Sequence, residues 1–154
     1  MTSDLRATLS DLGLNLPPVN PPKGVYVPAV RTRNLVFTSG QVPMVDGEVM
    51  ITGRVGAEIS PEQAYKLCRQ CALSALAAID HVVGLCRVVQ VVKVVGFVSS
   101  APGFTGQASV VNGASELFAE VFGDAGRHAR SAVGVADLPL GAPVEVEVVV
   151  EVAD

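Results

Sequence analysis

The sequence predicts an α+β fold, a mixed β-sheet with two helices packed on a single face. Two segments carry apolar residues at helical spacing and each ends on a glycine. Five runs are dense in valine and other residues that favour strands, the longest lying between the two helical segments. These elements follow one another as β-β-α-β-α-β-β, with no repeat or low-complexity tract between them. The 154 residues suffice for one domain with a proper core, spanning 1-154 and led by an arm over 1-22.

The arm is proline-rich from Leu16-Pro17-Pro18 to Pro21-Pro22. Val25 to Val30 and Leu35 to Ser39 then read as two strands of a hairpin, joined by the polar turn Arg31-Thr32-Arg33-Asn34. Met44 to Glu58 is a glycine-containing loop with a short strand at Val49-Met50-Ile51. At Ser60-Pro61-Glu62-Gln63 a helix starts: serine caps, proline fits the first turn and Gln63 completes a capping box. That helix runs to about Val83 and stops at Gly84. Arg87 to Val98 is too β-branched for a helix and reads as a buried strand. The second helix, Gln107 to Phe122, puts Val110, Ala114, Leu117 and Val121 on one face before Gly123. Ala129 to Val135 and Val144 to Val152 are the closing strands.

Composition narrows the function classes. The hydrophobic fraction of 49% and the mean hydropathy of +0.45 are high for a soluble monomer, so much surface is expected to lie against other subunits. Gln90 and Lys93 interrupt the most apolar run, which rules it out as a membrane span. The N-terminus lacks an apolar signal core, so a cytoplasmic protein is expected. A net charge of −4, scattered basic residues and no tryptophan argue against a nucleic-acid partner.

Cys68 and Cys71 form a C-x-x-C, a spacing that redox and zinc sites use. Here it lies inside the helical pattern Ala64, Cys68, Cys71, Ala75, Ile79, Val82, away from the helix N-terminus that would activate a thiol. The histidines, His81 and His128, do not complete a zinc set by their spacing. Buried thiols are the expectation, with neither metal nor cofactor.

Arg130 opens the β-branched run from Ala129 to Val135. A guanidinium stays charged, so in an apolar strand it snorkels to water, pairs with a structural carboxylate or meets an anion. In extended chain Arg130, Ala132 and Gly134 share a face, opposite Ser131, Val133 and Val135. In the last strand Glu145, Glu147 and Glu151 share a face opposite Val144, Val146, Val148 and Val150. For Glu147 and Glu151 a solvated face or a charge-protected edge is the expectation.

The segment from His128 to Glu147 resembles the signature of the Rid superfamily, the reactive intermediate deaminases, also called YjgF-like or L-PSP endoribonucleases. The family pattern is roughly P-A-R-S-x-V-x-V-x-x-L-P-x-x-x-x-V-E-[IV]-E. The resemblance extends to Tyr26-Val27-Pro28-Ala29-Val30, to Asn34 through Pro43 and to Asn112 ahead of Leu117-Phe118, all in the family's order. Four departures mark a divergent branch. Ala132 replaces a frequent cysteine, His128 replaces a proline, the stretch Phe104 to Asn112 is longer, and the arm precedes Tyr26.

The resemblance implies a chorismate-mutase-like fold, assembled as a homotrimer around a barrel-like core with pockets at the subunit interfaces. It implies hydrolytic deamination of small 2-imino acids, the tautomers of enamines such as 2-aminoacrylate, to keto acids and ammonia. Arg130 would hold the substrate carboxylate and Glu145 would handle the attacking water. Tyr26, Gly40, Asn112 and Ala132 would line the pocket. A second reading is a small-carboxylate-binding regulatory protein without turnover; an endoribonuclease fits the charge least.

Overall fold

The valine-rich run from 88 to 99 becomes the strand that the rest of the sheet is built around. The computed structural model describes residues 4–154. Strand β5 (Val88–Ser99) lies between β6 (Ala129–Val135), to which it is parallel, and β7 (Val144–Val152), to which it is antiparallel. Strand β2 (Leu35–Thr38) pairs with the far side of β7, and β1 (Ala29–Thr32) closes the edge, giving the order β1-β2-β7-β5-β6. Among the described strand pairs only β5–β6 is parallel, and helix α3 (Gln107–Phe122) makes the crossover that such a pair requires.

Alternation in β7 sorts the two faces. Val144, Val146, Val148, Val150 and Val152 are buried, whereas Glu145, Glu147 and Glu151 on the opposite face are half-buried. The valine face packs under α3 and helix α2 (Pro61–Val83), and Leu76, Ile79, Leu117 and Phe118 fill the layer between. Among the described residues, no helix covers the opposite face. It presents Phe37, 43% exposed, and Val133, 44% exposed, beside the glutamates, and Lys93 Nζ donates to Ser131 Oγ there at 3.3 Å.

Helix α2 starts as its sequence dictates: Ser60 Oγ accepts from the Gln63 N–H at 3.1 Å, and Gln63 Oε1 accepts from the Ser60 N–H at 2.9 Å. Elsewhere the structure corrects the sequence reading. The first strand begins at Ala29 rather than Val25, because Pro28 has no N–H to give a ladder. Val25, Tyr26 and Val27 are exposed and lie outside any strand. Arg31 and Thr32 belong to the strand, and the hairpin turn shrinks to Arg33-Asn34. The strand expected at Val49 to Ile51 is a small hairpin of β3 (Met44–Val45) and β4 (Glu48–Val49), turned at Asp46-Gly47.

The arm, to which the sequence reading assigns no element, contains a further helix, α1 (Leu5–Asp11). Asp4 Oδ1 caps it by accepting from the Arg6 and Ala7 N–H groups at 3.2 and 3.3 Å. Leu5 and Leu9, one turn apart, reach the main core, and Arg6 pairs with Asp80 at 3.2 Å. Among the described residues no helix is long and apolar enough to cross a membrane.

Candidate functional site

Arg130 stands in register with Val94, whose side chain is fully buried beneath the helices, so the arginine also points to the helix side of the sheet. There it meets three acceptors on one face of α3, spaced at i, i+4 and i+7. Nη1 donates to Asn112 Oδ1 at 2.7 Å and to Ser115 Oγ at 3.1 Å, and Nη2 donates to the Ala108 carbonyl at 3.2 Å. All three acceptors are neutral. A guanidinium has five N–H donors. Among the described residues, the Nε–H and one Nη2–H have no partner and no carboxylate pairs with the charge. Ala132 follows on the same face of β6, against the core. This half of the site is therefore a held, half-buried cation with two donors to spare.

Glu145 is on the other side of the sheet. It is paired with Phe97, half-buried, and lies across Gly40, where a Cβ would overlap its carboxylate. Burial pushes its carboxyl above the usual carboxylate range, and Glu147 on the same face adds to the shift. Glu145 and Gly40 line a cavity of about 170 Å³ together with Tyr26. The arm contributes Asn20 and Lys23 to the same wall, and Met44 and Leu140 make part of it apolar. The Lys23 backbone N–H donates to Tyr26 Oη at 3.2 Å, which leaves the tyrosine its own proton to donate.

Six residues were expected at one pocket. The structure brings Arg130, Asn112 and Ala132 together, and separately Tyr26, Gly40 and Glu145. Through Val94, Arg130 is in register with Val148, three residues from Glu145 along β7. Two strand spacings and three residues put the Cα atoms about 14 Å apart, with the side chains on opposite faces. No small acid bridges the two groups within one chain.

Sequence reasoning missed Ser115, the Ala108 carbonyl and His128, although Asn112 and Ser115 at i,i+3 already share a helix face. It also missed the arm residues Asn20 and Lys23, which no local periodicity marks. The C-x-x-C thiols are buried in the core. Burial pushes Cys68 up to about 12 against the opposing influence of Arg130, and pushes Cys71 well above its ordinary value.

Comparison with known proteins agrees with this architecture. The family model described as "YjgF/chorismate_mutase-like, putative endoribonuclease" matches residues 6–152. Protein TCP17 of Trypanosoma cruzi is 44% identical over 147 residues, covering 94% of this chain and 92% of its own length. The crystal structure of Atu1372 from Agrobacterium tumefaciens, a protein of unknown function, has a TM-score of 0.89 and 40% identity, covering 97% of this chain and 92% of that one. E. coli TdcF, crystallised with bound serine, has a TM-score of 0.64 and 26% identity over 88% of this chain and 94% of its own. With the family model spanning nearly the whole chain, and a fold and motif order to match, the chain belongs to the YjgF/Rid family.

Proposed function

We propose that the protein hydrolyses small 2-imino acids to keto acids and ammonia, at sites shared between neighbouring copies of a homotrimer. The observation that carries this reading is Arg130: a half-buried guanidinium held only by neutral acceptors, with two donors left over. That arrangement suits a carboxylate, which accepts two parallel charge-assisted hydrogen bonds. The opposite placement of Glu145 supports a shared site, because a second copy can bring its Glu145 cavity to the Arg130 edge of the first. The exposed apolar residues Phe37 and Val133 on the uncovered face support assembly.

The chemistry follows from these groups. A protonated imine is already electrophilic, so the step needs a placed water rather than a covalent nucleophile. Water oxygen adds to the iminium carbon while the C=N π pair moves to nitrogen. Glu145 takes one proton from water and passes it to the amine, and the hydroxyl then gives its remaining proton to Glu145 as the carbonyl forms and ammonia leaves. A carboxyl raised by burial is better matched to that exchange than an ordinary one. The acidic face and the net charge of −4 disfavour RNA as substrate.

A second reading, a carboxylate-binding protein without turnover, is favoured by the serine bound to TdcF. A coupled assay separates the two. With 2-aminoacrylate generated in place by a pyridoxal-phosphate dehydratase acting on serine, the protein should accelerate release of pyruvate and ammonia. Unchanged release with tight pyruvate binding would favour the binder.

A further inference from the structure

Arg130 is the end of a longer hydrogen-bonded chain. His128 Nδ1 lies 2.7 Å from the Gly126 carbonyl, and its Nε2 lies 2.9 Å from Ser115 Oγ. A carbonyl only accepts, so Nδ1 must carry a proton. In the neutral imidazole Nε2 is then an acceptor and takes the Ser115 hydroxyl proton. That uses up the only donor Ser115 has and leaves its lone pairs for Arg130 Nη1 at 3.1 Å. The direction of every bond is thus fixed: Arg130 to Ser115, Ser115 to His128, His128 to Gly126.

The far end is anchored by packing. A Cβ on Gly126 would overlap the backbone of Phe118 on α3, so this carbonyl is set by a close approach that only glycine permits. Phe118 is fully buried and also meets the imidazole edge-on, with ring centroids 6.0 Å apart. The ring therefore has one position and one orientation between α3 and the start of β6.

We propose that Ser115 and His128 are positioning residues for the Arg130 anion site. The Nδ1–H tautomer of His128 accepts the Ser115 hydroxyl bond and so leaves Ser115 an acceptor towards Arg130, and the guanidinium keeps its Nε–H and one Nη2–H free for a carboxylate. The inference rests on the reading of Arg130 as a carboxylate anchor. It assigns a role to His128, one of the positions at which this chain departs from the family pattern.

Pyruvate affinity, measured by titration calorimetry on the full-length protein, tests the relay. Ser115→Ala and His128→Ala should each weaken binding about three- to tenfold, the worth of one oriented hydrogen bond. The double variant should bind no worse than Ser115→Ala alone, because the histidine acts only through the serine. His128→Gln, whose amide oxygen can accept from Ser115, should recover most of the affinity. Additive losses, or single variants that bind as wild type, overturn the relay. Arg130→Ala is the control. If it binds as wild type, or if wild type takes up no pyruvate, the anchor itself fails and the relay with it. If Arg130→Ala abolishes binding while Ser115→Ala does not alter it, the relay alone fails. A second readout needs no variant: ¹⁵N spectra in mildly alkaline buffer should show His128 with Nδ1 protonated and Nε2 bare. The opposite tautomer overturns the proposal.

Discussion

A guanidinium with two spare donors is a specific kind of anchor, and its chemistry dictates how it responds to substitution. Arg130→Ala should leave the fold intact, since its partners Asn112 and Ser115 are half-buried and can rotate to water. It should lower carboxylate affinity and turnover by about 2–5 kcal/mol, or some thirty- to several-thousand-fold. Arg130→Lys should restore little, because a single ammonium cannot form the fork. Steady-state kinetics with circular dichroism checks both; full activity in Arg130→Ala contradicts the assignment.

Glu145→Gln should differ in kind from the arginine variants. It keeps the shape of the side chain, removes the charge and should slow the chemical step about 10²–10⁴-fold while pyruvate still binds. Its stability also has a sign. Burial first, then Glu147, raises the Glu145 carboxyl in the folded chain, so the native state holds that proton to higher pH than the unfolded state. The stabilisation this gives is present in acid and is lost as pH rises through the folded value. Glu145→Gln, always neutral, should melt above wild type at neutral pH, and the gap should close below the ordinary carboxylate range. A gap that widens in acid contradicts the direction of the shift.

Elements with strong local signals follow the sequence closely. Helix α2 begins at the capping box and ends at Gly84, and α3 runs from Gln107 to Phe122. Ser60→Ala should remove about 1 kcal/mol from the stability, readable as a fall in Tm, because the Gln63 N–H loses its acceptor. Where local chemistry competes with tertiary packing, the sequence misleads. Val25 to Val27 have strand composition, yet Pro28 cuts them off from the ladder. In the arm, Leu5 and Leu9 supply only two apolar positions over two turns, too few to announce a helix whose stability comes from docking. The motif residues of the candidate site were legible one by one. Their division into two groups was not, because it depends on strand order and on the odd offset, three positions, from Glu145 to Val148.

Under the proposed function, assembly is what joins the two groups into one site. Three copies of 15.9 kDa should scatter light as a particle of about 48 kDa, covering the face that exposes Phe37 and Val133. A monomer mass at micromolar concentration would remove the shared site. The most direct test is complementation between two inactive variants. Arg130→Ala and Glu145→Gln chains, unfolded together in equal amounts and refolded, should form mixed trimers. Some sites then draw an intact arginine from one variant and an intact glutamate from the other. Random mixing should restore imine hydrolysis to roughly a quarter of the wild-type rate, the chance that a site draws both intact residues from neighbouring copies. Mixed trimers that stay as inactive as the parent variants would contradict a site shared between Arg130 and Glu145 of different copies.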